Sequence, residues 1–219
     1  MTRRLRVAWP DPGPFARDGV PIRILAVSDE PDAALDHARN REEIGPIDLV
    51  VGCGDLPSDY LNFLADAFHV HLVRVLGNHD RPAVDADGGI VAPDPVSGRI
   101  VGGGPLPILG LSWPGRPPRR NEFQAWRQAL RTVLVEGFRR RPLIVASHIP
   151  PRGAGDVATD DYHVGSPAYR WILDRLRPPL WLHGHTPLAG VHDWRVTSGP
   201  TTIANVTGAV LIELLPPHG

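Results

Sequence analysis

Side chains that can bind a metal ion follow five short apolar segments of this sequence. In chain order they are Asp29, Gly54-Asp55, Gly77-Asn78-His79-Asp80, His148 and Gly184-His185. Carboxylate, amide and imidazole groups are ligands of divalent cations, and a carboxylate between two cations can bridge them and partly neutralise both charges. The neighbouring glycines let the backbone turn sharply beside the ligands. The pattern therefore predicts a metal centre.

The order of the predicted elements would bring these side chains together. The apolar runs 22–29, 47–55 and 69–80 each end in polar residues and are predicted to be buried strands. Between them, 32–44 and 59–68 have apolar residues at spacings of three and four, which is typical of helices. A β-α-β-α-β order gives parallel strands with right-handed crossovers. Three of the polar endings should then lie along one carboxyl edge of a sheet.

The second half of the chain is predicted to add a second sheet. Segment 88–112 alternates apolar runs with Gly and Pro, as short antiparallel strands do. Beyond it we predict helices over 121–138 and 166–176, a strand over 142–148 that ends in His148, and a strand over 179–186 that is apolar and then polar. The tail, 190–215, is β-like and is expected to complete the second sheet.

Length and composition indicate one compact domain. With 219 residues and 42% hydrophobic content, two independent cores would each be small. Residues 1–20 contain several prolines without sustained periodicity and are predicted to be an N-terminal extension, which leaves 21–219 as the single domain. The formal net charge of −1 gives no field that would favour nucleic acid or an anionic membrane surface.

Cysteine usage and hydropathy bear on location. Cys53 is the one cysteine of the sequence, so an internal disulfide is impossible and a cytoplasmic location is predicted. No apolar run approaches the ~20 residues of a membrane span, and the first residues lack the apolar core of a signal peptide. We therefore expect neither export nor a membrane partner.

The order D…GD…GNHD…H…GH resembles the calcineurin-like metallophosphoesterases, over residues 22 to about 214. GNHD and HGHT are the most specific of these motifs. The resemblance implies an α/β fold, in which a two-sheet β-sandwich is flanked by helices in four layers. It also implies metal-dependent hydrolysis of a small-molecule phosphoester, such as a phosphodiester or a nucleotide-like compound. The implied cofactors are one or two divalent ions per chain, of Mn, Fe, Zn, Ni or Mg.

The resemblance also implies a role for each matching residue. Asp55 would bridge two metal ions, and Asp29 would belong to the first of them. The ligands of the second ion would be Asn78, His148 and His185. His79 would lie beside the scissile phosphate, Asp80 would orient His79, and metal-bound hydroxide would attack phosphorus in line.

Two positions depart from the family pattern, which usually begins with Asp-x-His and ends with Gly-His-x-His. Pro31 and Pro187 stand where the second histidines would be, and both lost histidines serve the first metal. Some family members also begin with Ser-Asp-Glu, so Pro187 is the more serious departure. We expect an intact second site and a depleted first site. The residues that could replace the missing ligands, or simply cap and solvate the loops, are Glu30, Asp32 and His192.

Several candidates have an ordinary structural alternative. Asp29 could cap a helix starting near Pro31, and His183 could form a core hydrogen bond rather than approach the site. Arg152 and His163 are candidates for binding substrate phosphate, but a solvated arginine and a structural histidine are equally consistent with the sequence. The arginines at 116, 119 and 120 beside Trp113 could hold a phosphate under a stacked base, or form a solvated loop.

Two rival functions remain open. One is a mononuclear or weakly active phosphoesterase. The other is a non-catalytic protein that keeps a metal to bind a phosphate or nucleotide ligand. The retained His79-Asp80 pair favours catalysis, because binding alone needs no general acid. The substrate, the native metal and the oligomeric state are left open by the sequence.

Overall fold

The computed structural model describes residues 2–80, 99–101, 106–116, 119–137, 139, 141–157, 159, 161–190 and 193–217. The strands are β1 (Arg3–Ala8), β2 (Ile22–Ser28), β3 (Leu49–Gly52), β4 (His71–Arg74), β5 (Arg99–Val101), β6 (Ile108–Leu111), β7 (Gly115–Arg116), β8 (Arg119–Arg120), β9 (Ile144–Ser147), β10 (Leu180–His183), β11 (Arg195–Ser198), β12 (Thr201–Asn205) and β13 (Gly208–Leu215). The helices are α1 (Ala38–Ile44), α2 (Ser58–Phe68), α3 (Glu122–Glu136) and α4 (Pro167–Leu176). Most of the predicted 88–112 segment lies outside the described residues.

Two sheets contain most of these strands. The first has the order β1-β13-β2-β3-β4, and the second has the order β11-β12-β10-β9-β6-β5. Strands β2, β3 and β4 run parallel, as do β6, β9, β10 and β12. The carboxyl ends of the parallel strands therefore form one edge in each sheet, as the sequence predicted.

Three apolar clusters show that the sheets and helices form four layers. One cluster joins residues of both sheets, such as Ile24 and Val51 with Ile144 and Leu182, and fills the space between them. The other two clusters line the outer faces. The first sheet packs on α1 and α2, and the second on α3 and α4. The predicted helix-flanked, two-sheet α/β fold is thus confirmed.

The prediction that residues 1–20 lie outside the domain is wrong for the start of this segment. Strand β1 pairs in parallel with β13, and Trp9 is 1% exposed. The cause is a period-two alternation in which Leu5, Val7 and Trp9 point to the core. The prolines that follow at 10, 12 and 14 obscured this short strand.

The tail also differs from the prediction. Strands β11 and β12 complete the second sheet, but β13 returns to the first sheet and pairs antiparallel with β2. Its Val210, Leu211 and Ile212 are fully buried, because β13 lies between two strands and has packed layers on both faces. This crossing carries Thr207 to the edge where β2 ends. No helix in the described ranges is long and apolar enough to cross a bilayer.

Candidate metal centre

The predicted ligands converge where the strands of both sheets end. Asp29 follows β2, Asp55 lies in the loop after β3, and His148 follows β9. One oxygen of Asp29, one oxygen of Asp55 and one ring nitrogen of His148 all lie within 4.8 Å of one another. A cleft of about 190 Å³ opens beside them. The parallel strand order therefore does bring these residues together, although Asp29 and His148 are 119 positions apart in the chain.

His148 is the centre of this group. Its ring is fully buried, and Nδ1 lies 2.9 Å from the Cys53 carbonyl oxygen. Nε2 lies 3.1 Å from Asp55 Oδ2 and 2.9 Å from Asn78 Oδ1. Donor atoms that bind one ion at about 2.1 Å, at right angles to each other, are about 3 Å apart. These three side chains therefore have the spacing of a divalent-metal site, and the carbonyl contact at Nδ1 leaves Nε2 as the ligand atom.

His148 and Asp55 stabilise each other's charged forms. Burial disfavours both charged forms, but the contact between the two side chains acts against it. Together with the charge of Asp29 and the Cys53 carbonyl it raises the pKa of His148. Together with His79 it lowers the pKa of Asp55. Without a metal, protonated His148 can donate to the oxygens of both Asp55 and Asn78. A cation bound there would take the place of that proton.

His185, the other predicted imidazole ligand, is neutral. Burial and the neighbouring His148 lower the pKa of His185 to about 3, and the two ring centroids are 5.0 Å apart. His185 Nε2 donates to the Tyr162 carbonyl oxygen at 3.0 Å, so its Nδ1 keeps a free lone pair. Among the described residues, His185 is not part of the group formed by Asp29, Asp55 and His148, whose ligand atoms all lie within 4.8 Å of one another. Its role as a ligand remains a prediction.

Asp29, Asp55 and His185 have positive φ angles of 61°, 57° and 63°. Non-glycine residues rarely adopt this left-handed backbone, and such strain persists only where the surrounding structure imposes it. Within the described chain, two other non-glycine residues, His69 and Arg177, share this conformation, and both terminate helices. The strained residues of the loops are thus the predicted ligands themselves.

Asp29 has a structural function that the sequence did not reveal. Both of its oxygens accept the backbone N–H of His185, each at 3.1 Å, and Thr207 Oγ1 donates to Oδ2 at 3.1 Å. A Cβ atom at Gly184 would collide with the Asp29 carboxylate, so only glycine permits this approach. Asp29 therefore ties the β10 loop to the β2 loop and does not cap the following helical turn.

The first metal position has few donors among the described residues. Pro187 lines the cleft and Pro31 does not, and neither side chain can donate an electron pair. Of the possible substitutes, Glu30 lines the cleft, whereas Asp32 accepts the Ala34 N–H and caps a short 3-10 turn. His192 lies outside the described residues. Depletion of this site stays a prediction.

His79 and Asp80 occupy different environments. His79 is exposed on the cleft wall, its N–H donates to Asp55 Oδ1 at 2.8 Å, and its Nε2 lies 3.5 Å from the Tyr162 hydroxyl. Asp80 Oδ2 accepts the N–H groups of Asp55 and Gly77, both at 2.8 Å. Burial raises the pKa of Asp80 against the effect of these amides. The described contacts give Asp80 a loop-bracing function, and its orienting of His79 remains a prediction.

Of the two phosphate-binding candidates, His163 lies at the cleft and Arg152 does not. His163 lines the cleft, with its ring centroid 5.3 Å from that of His185. Arg152 is solvent-exposed and is not among the cleft-lining residues; its backbone N–H donates to the Ser166 carbonyl oxygen. His183 is buried, with Nδ1 2.9 Å from the Gly184 carbonyl oxygen, and burial lowers its pKa to about 4. It has the structural role that was the alternative interpretation.

Trp113 forms a wall behind the site rather than a surface platform for a base. It is 9% exposed, and its ring packs edge-on against His148 and His185 at centroid distances of 6.0 and 5.4 Å. Nearby, Arg120 pairs with Glu122 at 2.7 Å and donates to the Val164 carbonyl oxygen. Arg120 of the basic cluster therefore braces the loops beside the site.

Tyr162 and Thr207 are site residues that the sequence analysis missed. The Tyr162 hydroxyl accepts from Asn78 Nδ2 at 2.6 Å, while its carbonyl oxygen holds His185. Thr207 lines the cleft and contacts Asp29. Tyr162 lies in a loop without periodicity, although its position next to His163 was an available signal. Thr207 carried none, because its contact depends on the crossing of the chain into β13.

Comparison with solved structures shows where this architecture recurs. The protein TT1561 of Thermus thermophilus superposes with a TM-score of 0.58 at 18% sequence identity, covering 86% of this chain and 90% of that chain. Another solved chain gives a TM-score of 0.59 at 13% identity, with 88% and 95% coverage. Vacuolar Protein Sorting 29 from Cryptosporidium parvum gives 0.46 at 14% identity, with 90% and 87% coverage. No curated protein matches the sequence. At such identities the first two likenesses show the fold alone.

The family itself is shown by sequence. The profile described as calcineurin-like phosphoesterase matches residues 22–189, which is well over half of the 219 residues. This chain belongs to the calcineurin-like phosphoesterase family. Members of that family are typically phosphoester hydrolases that bind divalent metals, and the Asp29, Asp55 and His148 group is a candidate site for such an ion.

Proposed function

We propose that this protein hydrolyses a small phosphoester, of the phosphodiester or nucleotide-like kind, with a divalent cation at the second metal position. The observation that carries the proposal is the spacing around His148 Nε2, with Asp55 Oδ2 at 3.1 Å and Asn78 Oδ1 at 2.9 Å. A carboxylate, an amide and an imidazole at ligand-to-ligand distances suit a divalent cation.

The residues around this group would divide the work as follows. Asp55, Asn78, His148 and His185 would hold the ion, which when bound supplies Lewis-acid stabilisation of negative charge on the phosphoryl group. His79, exposed on the cleft wall, would donate a proton to the leaving oxygen. His163, which lines the same cleft on a different loop from His79, would contact a phosphate oxygen. The buried wall of Trp113 keeps water away from the back of the two imidazoles.

The same site supports a second candidate, a protein that binds a phosphate or nucleotide ligand without turnover. The observation in its favour is the lack of imidazoles at Pro31 and Pro187, since two-metal hydrolysis uses both ions to stabilise the attacking and leaving oxygens. The His79 side chain distinguishes the two candidates. A general acid has no purpose in a site that only binds.

The test is a phosphoester panel on metal-stripped protein, with Mn, Fe, Zn, Ni or Mg added back singly. We expect turnover of at least one diester or nucleotide-like substrate, dependent on added metal and lost in Asn78→Ala. Asn40→Ala is the matched control, because Asn40 bonds to the Ala34 carbonyl oxygen, outside the donor set. Binding of inorganic phosphate without turnover under any condition would instead establish the second candidate. We also expect the protein to act in the cytoplasm, and cell fractionation would test this expectation.

A further inference from the structure

Helix α3 carries large apolar side chains on the side that faces solvent. In the described part of the chain, nine large apolar side chains are exposed, and five of them belong to this one helix. They are Phe123 at 75%, Trp126 at 42%, Leu130 at 53%, Leu134 at 56% and Val135 at 48%. The first four lie on one side of the helix and are called the α3 face, whereas Val135 lies on another side. Single exposed apolar residues are ordinary, but a contiguous set marks an interaction surface.

The α3 face is separate from the side of the helix that packs on the second sheet. That inner side contains Ala125 and Ala129, both fully buried. Spacings of three, four and four along 123, 126, 130 and 134 place those side chains in one row along the helix. Trp126 continues the row onto α4, since its ring centroid is 6.0 Å from that of Trp171. The helix thus has apolar surface on two sides, and no element of the described ranges covers the outer one.

We propose that the α3 face is the interface of a symmetric homodimer, in which the α3 helices of two copies pack antiparallel. Fully exposed side chains of these types offer about 100–250 Å² each, so the exposed fractions leave about 400 Å² of apolar area per chain. Two copies would bury about 800 Å². Because homodimer interfaces are about 65% apolar, this area corresponds to an interface of about 1,200 Å². Specific complexes have interfaces of this size.

The row is also complementary to itself. Its aromatic residues, Phe123 and Trp126, lie toward the start of α3, and its aliphatic residues, Leu130 and Leu134, lie toward the end. An antiparallel pair about a twofold axis near the middle of the row places the aromatic half of one helix on the aliphatic half of the other. A parallel pair would stack like on like. The net charge of −1 gives little long-range repulsion between copies.

The proposal is tested by sedimentation equilibrium of the 219-residue chain between about 1 and 100 µM, the range of an interface with moderate affinity. We expect a mass of twice 23.9 kDa for the wild type. Leu130→Glu should raise the dimer dissociation constant by at least about 30-fold, the effect of losing a central contact. Val20→Glu is the matched control, because Val20 is 57% exposed and just precedes β2 of the first sheet, whereas α3 packs on the second sheet. This substitution should leave the mass unchanged.

A second measurement does not depend on disrupting the interface. Cys53 is fully buried, so an introduced surface cysteine is the reactive one. Arg127→Cys, beside the middle of the row, should form a disulfide-linked dimer on mild oxidation, whereas Arg39→Cys, on α1 in the opposite outer layer, should not. The proposal is overturned if the wild type is a monomer throughout the concentration range. The α3 face would then be covered by another protein or by a lipid surface. The proposal is also overturned by a dimer that survives Leu130→Glu and fails to cross-link at 127.

Discussion

Replacing Tyr162 by phenylalanine would remove a single oxygen atom from the cleft wall and should weaken metal binding without abolishing it. The hydroxyl accepts the Asn78 amide N–H at 2.6 Å, which turns Asn78 Oδ1 toward His148 Nε2. The backbone carbonyl of Tyr162, which holds His185, is unaffected by the substitution. The variant therefore isolates the orientation of one ligand, with all of the donors still present.

The expected magnitude follows from the net worth of one hydrogen bond. A contribution of about 0.5–1.5 kcal/mol corresponds to a dissociation constant raised by about twofold to thirteenfold. This range overlaps the lower part of the effects seen when outer partners of metal ligands are removed. Asn78→Ala deletes the ligand itself and should abolish retention of the ion.

Calorimetric titration of metal-stripped protein with Mn or Zn provides the measurement. Tyr169→Phe is the matched control, because its hydroxyl contacts the Ser112 carbonyl oxygen and Gln128 Oε1. That loss should lower thermal stability and leave metal affinity unchanged. Equal affinity in Tyr162→Phe and wild type would show that the hydroxyl does not orient Asn78. A loss as large as that in Asn78→Ala would show that the hydroxyl itself is a ligand.

Three further outcomes are expected. His79→Ala should retain metal but lower turnover by roughly 10²–10⁴-fold, with less effect on nitrophenyl esters and none from the exposed control His71→Ala; unchanged turnover would remove His79 from the mechanism. Pro187→His should strengthen metal binding at the first position, measured by calorimetry with anomalous diffraction, and two equally tight sites in the wild type would refute the depletion of that site. The pKa of His148 is higher folded than unfolded, so its stabilising effect is complete below about pH 6.5 and is lost as pH rises through the folded pKa. The unfolding free energy of metal-free protein should fall over that interval, less so in His148→Ala.

Much of the fold could be predicted because its parallel strands are buried on both faces. Strands such as β3 and β9 are uninterrupted apolar runs, and a polar residue marks where each run ends. Strand β1 was missed because it lies at the sheet edge, where exposed arginines alternate with buried residues. The place of β13 could not be predicted either, since its apolar composition suits the centre of either sheet.

The residues of the candidate site also differ in how far the sequence could predict them. Asp55 and His148 could be predicted from their position after strands, because parallel strands bring their carboxyl ends together. The contacts of Tyr162 and Thr207 could not, because they join loops that are distant in sequence and carry no periodic pattern. Asp29 is intermediate: its nearness to the site was predicted, whereas its bonds to the His185 backbone and to Thr207 were not.

The contacts of Asp29 have a consequence for biosynthesis. Its carboxylate is held by groups 156 and 178 positions later in the chain, so the loop that contains it cannot reach its final shape until Thr207 has emerged from the ribosome. Contacts at such long separations form late, after the entropy of closing large loops has been overcome. An unfinished chain therefore presents no assembled ion-binding pocket. Cations that bind only the completed protein would then lower the free energy of the mature state alone, and loading with metal becomes a measure of successful folding.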